Sequence, residues 1–226
     1  MGRSLATGRT GDLRSTKALH LYGNSTSNID FGVQTFLNGK NFTLGCRIWP
    51  TRSAITDDGG LWSCGFDTGG NGGYFLRPNA STRQLQIFFG SGSLTATNYR
   101  MVGKHYLFVE YDGQNFRVYR NTTLVDTISE TSGRRNAYPG RTTMFGCRDT
   151  TGRYFSGVVG DAAVYSRTLS LQEKQQIVNE ATYPTIGAEI VIHCDENTGT
   201  TITDYSGNNR HGTLNTGLWR NSPFNL

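Results

Sequence analysis

The sequence is short of charge, of proline and of long apolar runs, and each shortage closes off a class of protein. Charged residues are 17% of the 226 positions, and with 29 glycines the composition points away from helix. Five prolines are too few for a proline-rich stalk or linker. No stretch of about 18 apolar residues is present, so no helix can span a membrane. No apolar run of about 7–15 residues follows the basic residues at the N-terminus, so no secretory signal is visible. The expectation is a chain that folds in the compartment where it is made. Its sequons at Asn24, Asn41, Asn79 and Asn121 are then the yield of a Thr/Asn-rich sequence. No Cys-x-x-Cys pair joins Cys46, Cys64, Cys147 and Cys194, which argues against a zinc site. These cysteines are read as buried reduced thiols, with one disulfide as the alternative. His20, His105, His193 and His211 have no Gly-x-Ser-x-Gly nucleophile motif beside them. No phosphate-binding glycine loop with its lysine occurs, and no repeat of about 20–50 residues suggests a propeller or solenoid.

What is present is β-forming. Thr, Tyr, Phe and Val suit a pleated, half-buried surface, and Gly, Asn, Asp and Ser clusters supply the turns between short period-two runs. Strands are predicted at residues 18–22, 28–31, 42–49, 60–65, 74–77, 84–89, 105–111, 115–120, 124–129, 142–147, 157–165 and 189–194. The clearest unit is HYLFVEYDGQNFRVYR, where Asp112-Gly113 supplies a hairpin turn; Phe116 and Val118 should face one way, Arg117 and Tyr119 the other. One helix is predicted over residues 170–181, capped by Ser170 with Glu173 reaching back, resting on a sheet through Leu171, Ile177 and Val178. No linker divides the chain. Residues 1–17 read as a basic arm in which Arg3, Arg9, Arg14 and Lys17 face the single acid Asp12. The arm is either a solvated tail or a docking segment for an acidic surface. Nothing has the composition of a dedicated nucleic-acid reader.

Several stretches resemble the laminin-G-like branch of the concanavalin A-like lectin/glucanase superfamily. They are KALHLYGNSTSNIDFG, FTLGCRIWP, GKHYLFVEYDGQNFRVYRNTTLVDT and, most specifically, the closing signature carried by Asp161, Ala163, Tyr165, Arg167, Leu169 and Ser170. At Ala162 the sequence departs from the acidic residue usual there. The resemblance covers roughly residues 18–180 and implies an all-β, two-sheet antiparallel jelly-roll sandwich with one short surface helix. Residues 188–226 resemble the segment that normally begins such domains, so the chain is open to two arrangements. The segment completes the sandwich formed by residues 18–187, as in a circular permutation, or it completes a neighbouring copy. DYSGNNRHG, residues 204–212, reads as a structural turn cluster.

Catalysis is not expected. The resemblance to glucanases would call for paired carboxylates; the nearest string, Glu110-Tyr111-Asp112-Gly113-Gln114, lacks the second Glu, and Glu110 reads as an exposed strand residue. For binding, Trp62, Tyr74 and Tyr99 lie beside Gly/Asn loops and are the candidate sugar-stacking residues, with core packing as the plainer reading. No cofactor is expected, although calcium is conceivable, with Asp57, Asp58, Asp67 and Asn71 as candidate oxygen ligands or turn formers. The expected role is a non-enzymatic assembly subunit of a virion, such as a phage capsid-decorating, head-fibre or tail-associated protein, assembled in the host cytoplasm. Its partners would be shell proteins and further copies of itself. A carbohydrate-binding module for a cell-surface glycan is the alternative, ahead of a glycoside hydrolase.

Overall fold

A computed structural model describes residues 17–23, 26–51, 59–67, 72–89, 92–130, 136–148 and 153–224. In chain order the first strands are β1 (Lys17–Tyr22), β2 (Ile29–Val33), β3 (Phe42–Pro50), β4 (Trp62–Cys64), β5 (Tyr74–Pro78), β6 (Gln84–Phe89) and β7 (Gly92–Arg100). There follow β8 (His105–Tyr111), β9 (Asn115–Arg120), β10 (Thr123–Ser129), β11 (Thr142–Phe145) and β12 (Ser156–Tyr165). Helix α1 (Leu171–Glu180) precedes β13 (Ala188–Ile192), β14 (Thr201–Ile202), β15 (Gly212–Leu214) and β16 (Leu218–Asn221).

Two antiparallel sheets result. The first has the order β10-β9-β8-β3-β12-β1-β16, with β13 also pairing β12; the second runs β14-β15-β2-β11-β4-β5-β6-β7. Their facing residues form one core, among them Leu44, Cys46, Ile48, Leu107, Val109, Phe116 and Val164 from the first sheet and Ile29, Trp62, Leu76, Ile87 and Phe145 from the second. Alternation makes this arrangement follow from sequence: within β3, Leu44, Cys46 and Ile48 point inward, so Arg47 and Trp49 must point out. This is the predicted jelly-roll sandwich.

Strand β12 is buried along its whole length, because the core lies on one side and other chain segments cover most of the second. A register shift between Val159 and Ala162 divides it. Its first half pairs β1 and its second half pairs β13 on the same side. The β8–β9 turn differs slightly from a two-residue hairpin. Gly113 alone has positive φ (101°), while the Asp112 carboxylate accepts the backbone N–H groups of Gln114 and Asn115 at 2.9 and 2.7 Å, and so tightens a three-residue loop.

Helix α1 has the expected capping box at Ser170 and Glu173. Two of the three expected contacts with the sheet hold, Ile177 being buried and Val178 packed against the same cluster, while the third does not. Leu171 is exposed, and Lys174 and Ile177 are the buried residues. The reason lies beneath the helix: Lys174 Nζ sits 2.8 Å from Glu110 Oε1, both side chains almost fully enclosed. Glu110 is therefore not an exposed strand residue. It also accepts hydrogen bonds from the Thr43 hydroxyl (3.1 Å) and the Leu169 amide (2.8 Å). A buried charge must be compensated in this way.

Residues 188–224 reach both sheets of the same chain. Strand β13 extends the first sheet; β15 pairs β2 through Thr213–Asp30 and Leu214–Ile29; β16 pairs β1 from Lys17–Asn221 to His20–Leu218. The turn between β14 and β15 is organised by Asp204, whose carboxylate accepts from the amides of Val191, Ser206 and Arg210 at 2.9–3.0 Å. All four cysteines are free and buried, and burial pushes the Cys64 thiol up to about 12.

Candidate functional site

The three aromatics expected to stack on sugar are core residues. Trp62 is fully buried, packed 4.6 Å from the Phe145 ring and 6.1 Å from that of Phe31. Tyr74 packs edge-on against Phe42 at 4.5 Å. Tyr99 is buried with its hydroxyl hydrogen-bonded to His105 Nε2. Each lies beside a glycine-rich loop but at an inward position of its strand, and strand parity decides exposure where loop proximity does not. Asp67 is buried against Arg141, whose Nη2 lies 3.2 Å from its carboxylate; a guanidinium in that place opposes the binding of a cation. Asp57, Asp58, Asn71, Arg3, Arg9 and Arg14 lie outside the described residues. Lys17 donates to the Asn221 side chain across β1 and β16 at 3.1 Å.

The surface that stands out is the outer face of the first sheet. One half is roofed by α1 and the segment after it, over Tyr106, Phe108, Ala163, Tyr165 and Val191. The Tyr106 and Phe108 rings stack at 4.5 Å, and Gly45 makes room for them, since a Cβ there would lie 3.0 Å from the Tyr106 ring. At the edge of the roof Arg47 pairs with the buried carboxylate of Asp161 (3.5 Å), which also faces His193 Nδ1 at 3.6 Å. The His193 ring lies between Tyr183 and Tyr205, at 5.3 and 4.6 Å.

The other half has no helix over it among the described residues. Cross-strand pairing sets Trp49 beside Val158, Val158 beside His20 and His20 beside Leu218. That row crosses four strands, about 14 Å at the usual inter-strand spacing. Tyr22 lies two residues beyond His20 on the same face, with ring centroids 5.0 Å apart. Phe224 covers Ala18 and Val158 at the centre. Three large side chains remain open to solvent: Trp49 at 39%, Tyr22 at 42% and Leu218 at 43% exposure. Lys104 Nζ stands 4.8 Å above the Trp49 ring centroid, a cation–π contact that holds the ring in place.

The electrostatics of this half are one-sided. On this face the strands carry Arg47 and Arg220 against one acid, Asp161, which Arg47 already neutralises. The His20 pKa is lowered, chiefly by burial and further by the positive charge of Arg220. A flat aromatic surface with peripheral hydrogen-bond donors can stack on the C–H face of a sugar ring and hold its oxygens from the side. Trp49, Tyr22 and His20 were available to sequence reasoning through parity alone, because Leu19, Leu21 and Ile48 fix the inward face. Leu218 was not, because β16 has no clear alternation.

A family model described as the concanavalin A-like lectin/glucanases superfamily matches residues 23–173. The chain belongs to that superfamily. Among solved structures, a Bacteroides ovatus protein assigned as carbohydrate-binding superposes with a TM-score of 0.68 at 19% identity, over 93% of this chain and 61% of that one. This chain thus spans about three fifths of that protein's length. The heptameric SAP-like pentraxin of Limulus polyphemus superposes at 0.62 with 12% identity, over 95% and 99% of the two chains. Domain 4 of the extracellular arabinanase AbnA from Geobacillus stearothermophilus, solved with arabinotriose, gives 0.56 at 15% identity, over 77% and 80%. At these identities the likeness is one of fold. No curated protein matches the chain. The sandwich is lectin-like in architecture, and its outer face must be read on its own chemistry.

Proposed function

We propose that this superfamily member is a non-catalytic recognition module that holds a saccharide against the open half of its first sheet. The observation carrying this reading is the pair of exposed aromatic rings, Trp49 and Tyr22, on one face of a rigid sheet, with half-buried His20 beside Tyr22 and Lys104 over the Trp49 ring. Exposed aromatic surface grouped on one face of a soluble domain marks a binding surface. The fold's kinship with a carbohydrate-binding assignment and with an arabinotriose-bound domain supports it. A non-catalytic role is supported by Glu110, the carboxylate nearest to a glucanase-like string. It is spent on Lys174 and lies under the helix, where no substrate can reach it. The proposed contact uses no cofactor. Trp49→Ala and Tyr22→Ala are the test: each should abolish retardation in polysaccharide-loaded gels and leave the thermal midpoint within a few degrees. Unchanged retardation in both variants would refute the reading.

A second reading is that of a virion or shell subunit, and it is compatible with the first. What favours it is charge at one edge: Lys17 and Arg220 lie on adjoining strands, and Lys17 continues in sequence into the segment bearing Arg3, Arg9 and Arg14. Such an arm suits docking on an acidic surface of a larger particle. Deleting residues 1–16 should leave folding and saccharide binding intact while abolishing co-sedimentation with the particle. Co-sedimentation that survives the deletion would remove the arm from the docking role.

A further inference from the structure

Resting on the saccharide reading, we infer that the ligand of the open face is an acidic polysaccharide, one carrying carboxylate or sulfate groups along its chain. The inference comes from the distribution of charge around the aromatic row. Lys104 stands over Trp49 at one end, and Arg220 lies at the other, on β16 beside Ala18. Neither Lys104 nor Arg220 has a carboxylate partner among the described residues. The single acid of the four strands, Asp161, is enclosed against Arg47 and contributes no open negative charge.

Elsewhere on the molecule several cations are matched, although Arg83 and Arg100 also have no carboxylate partner among the described residues. Arg117 pairs with Asp112 at 2.6 Å, Arg210 with Glu189 at 2.7 Å and Arg167 with Glu173. What sets the aromatic face apart is that Lys104 and Arg220 flank its open rings with no described carboxylate to offset either. An ordinary solvated surface intersperses the two signs.

Two further details favour a saccharide of this kind over a neutral one. Arg220 lies close enough to His20 to add, beyond burial, to the lowering of the imidazole's pKa. The distance between the cations also suits a polymer. Trp49 and Leu218 are separated by about 14 Å of sheet, room for roughly two to three sugar rings, so a chain with a charge on every ring or every second ring could meet both ends together.

The experiment compares the intact protein with Lys104→Gln, Arg220→Gln and the double variant. Affinities are measured for polygalacturonate, for chondroitin sulfate and for a neutral galactan, at low and at moderate salt. The proposal expects polygalacturonate, chondroitin sulfate or both to bind more tightly than galactan, with affinity falling as salt rises. Arg220→Gln should weaken acidic binding by about threefold to tenfold while galactan binding stays put, and Lys104→Gln, which also loosens the Trp49 ring, should weaken acidic binding more than galactan binding. Preference for polygalacturonate alone would assign the charge to carboxylate, preference for chondroitin sulfate alone to sulfate. Equal binding of acidic and neutral polymers, unaffected by the substitutions, would overturn the acidic preference and leave the saccharide reading standing. No binding of any polysaccharide would bring down that underlying reading. Binding of duplex DNA or of anionic phospholipid vesicles as tight as that of the polysaccharides, and lost in the same variants, would show a general anion surface and overturn the inference.

Discussion

The two halves of the outer face of the first sheet are built from the same strands and have opposite fates. Toward one side β3, β8 and β12 present Tyr106, Phe108, Ala163 and Tyr165, and α1 closes over them. Toward the other side, β3 and β12 with β1 and β16 present Trp49, Val158, His20 and Leu218, and much of the aromatic surface stays in water. The two halves differ in what fixes a roof. The covered half holds a buried anion, Glu110, that fixes a buried cation from the helix, Lys174, with Tyr119 lying 4.2 Å beneath the ammonium group. The open half has no such buried pair, because its one acid, Asp161, is already taken by Arg47. A sheet face of this kind is structural where a charge pair commits it, and available where none does.

The largest expected effect breaks the covered half. Glu110→Gln leaves the Lys174 charge enclosed without its partner, and Lys174→Met leaves the carboxylate so. Either should cost about 3–5 kcal/mol in chemical denaturation, because an uncompensated buried charge is far more costly than a lost pair. The double variant should recover much of that loss, since it removes both charges together. If the singles cost under about 1 kcal/mol, the pair is not what holds the helix down. The open half gives the contrast: Trp49→Ala, at a position already 39% exposed, should change binding far more than stability.

The halves were not equally legible in the sequence. The alternation of Leu44, Cys46 and Ile48 gave the sheet its inner face, and Ser170 with Glu173 gave the helix its start, because both signals are local and periodic. The same parity set Glu110 outward, correctly, between Val109 and Tyr111. That an outward residue could still be buried depended on where a helix sixty residues later would land, and no local pattern reports that. Trp62, Tyr74 and Tyr99 misled for a related reason. Nearness to Gly/Asn loops describes the chain's neighbourhood in sequence, whereas the face a strand residue takes depends on its register with the rest of the sheet. Strand β7, GSLTATNYR, went unseen because only Ala96 and Tyr99 are buried in it. An edge strand with most of its side chains in water has no hydrophobic period to detect.

The smallest expected effect concerns the hinge side of the roof. Arg167 Nη1 donates to Glu173 Oε2 at 3.0 Å, and the same carboxylate oxygen accepts the Ser170 amide at 2.8 Å. The Arg167 hydrogen bond is the main reason the Glu173 pKa falls to about 2 from an ordinary 4.5. A carboxylate with a folded pKa below its unfolded one stabilises the folded state above the unfolded value. That contribution fades as pH drops from about 4.5 through about 2. Because the group is partly open to solvent, the effect should be about 1 kcal/mol or less, the size of a lost helix cap. Glu173→Gln should accordingly lower stability slightly at neutral pH and flatten its decline between about pH 4.5 and 2, as read by helix circular dichroism during denaturation. An unchanged acid slope in that variant would mean that other carboxylates carry the acid sensitivity, and that the helix is held by Glu110 and Lys174 with little help from its cap.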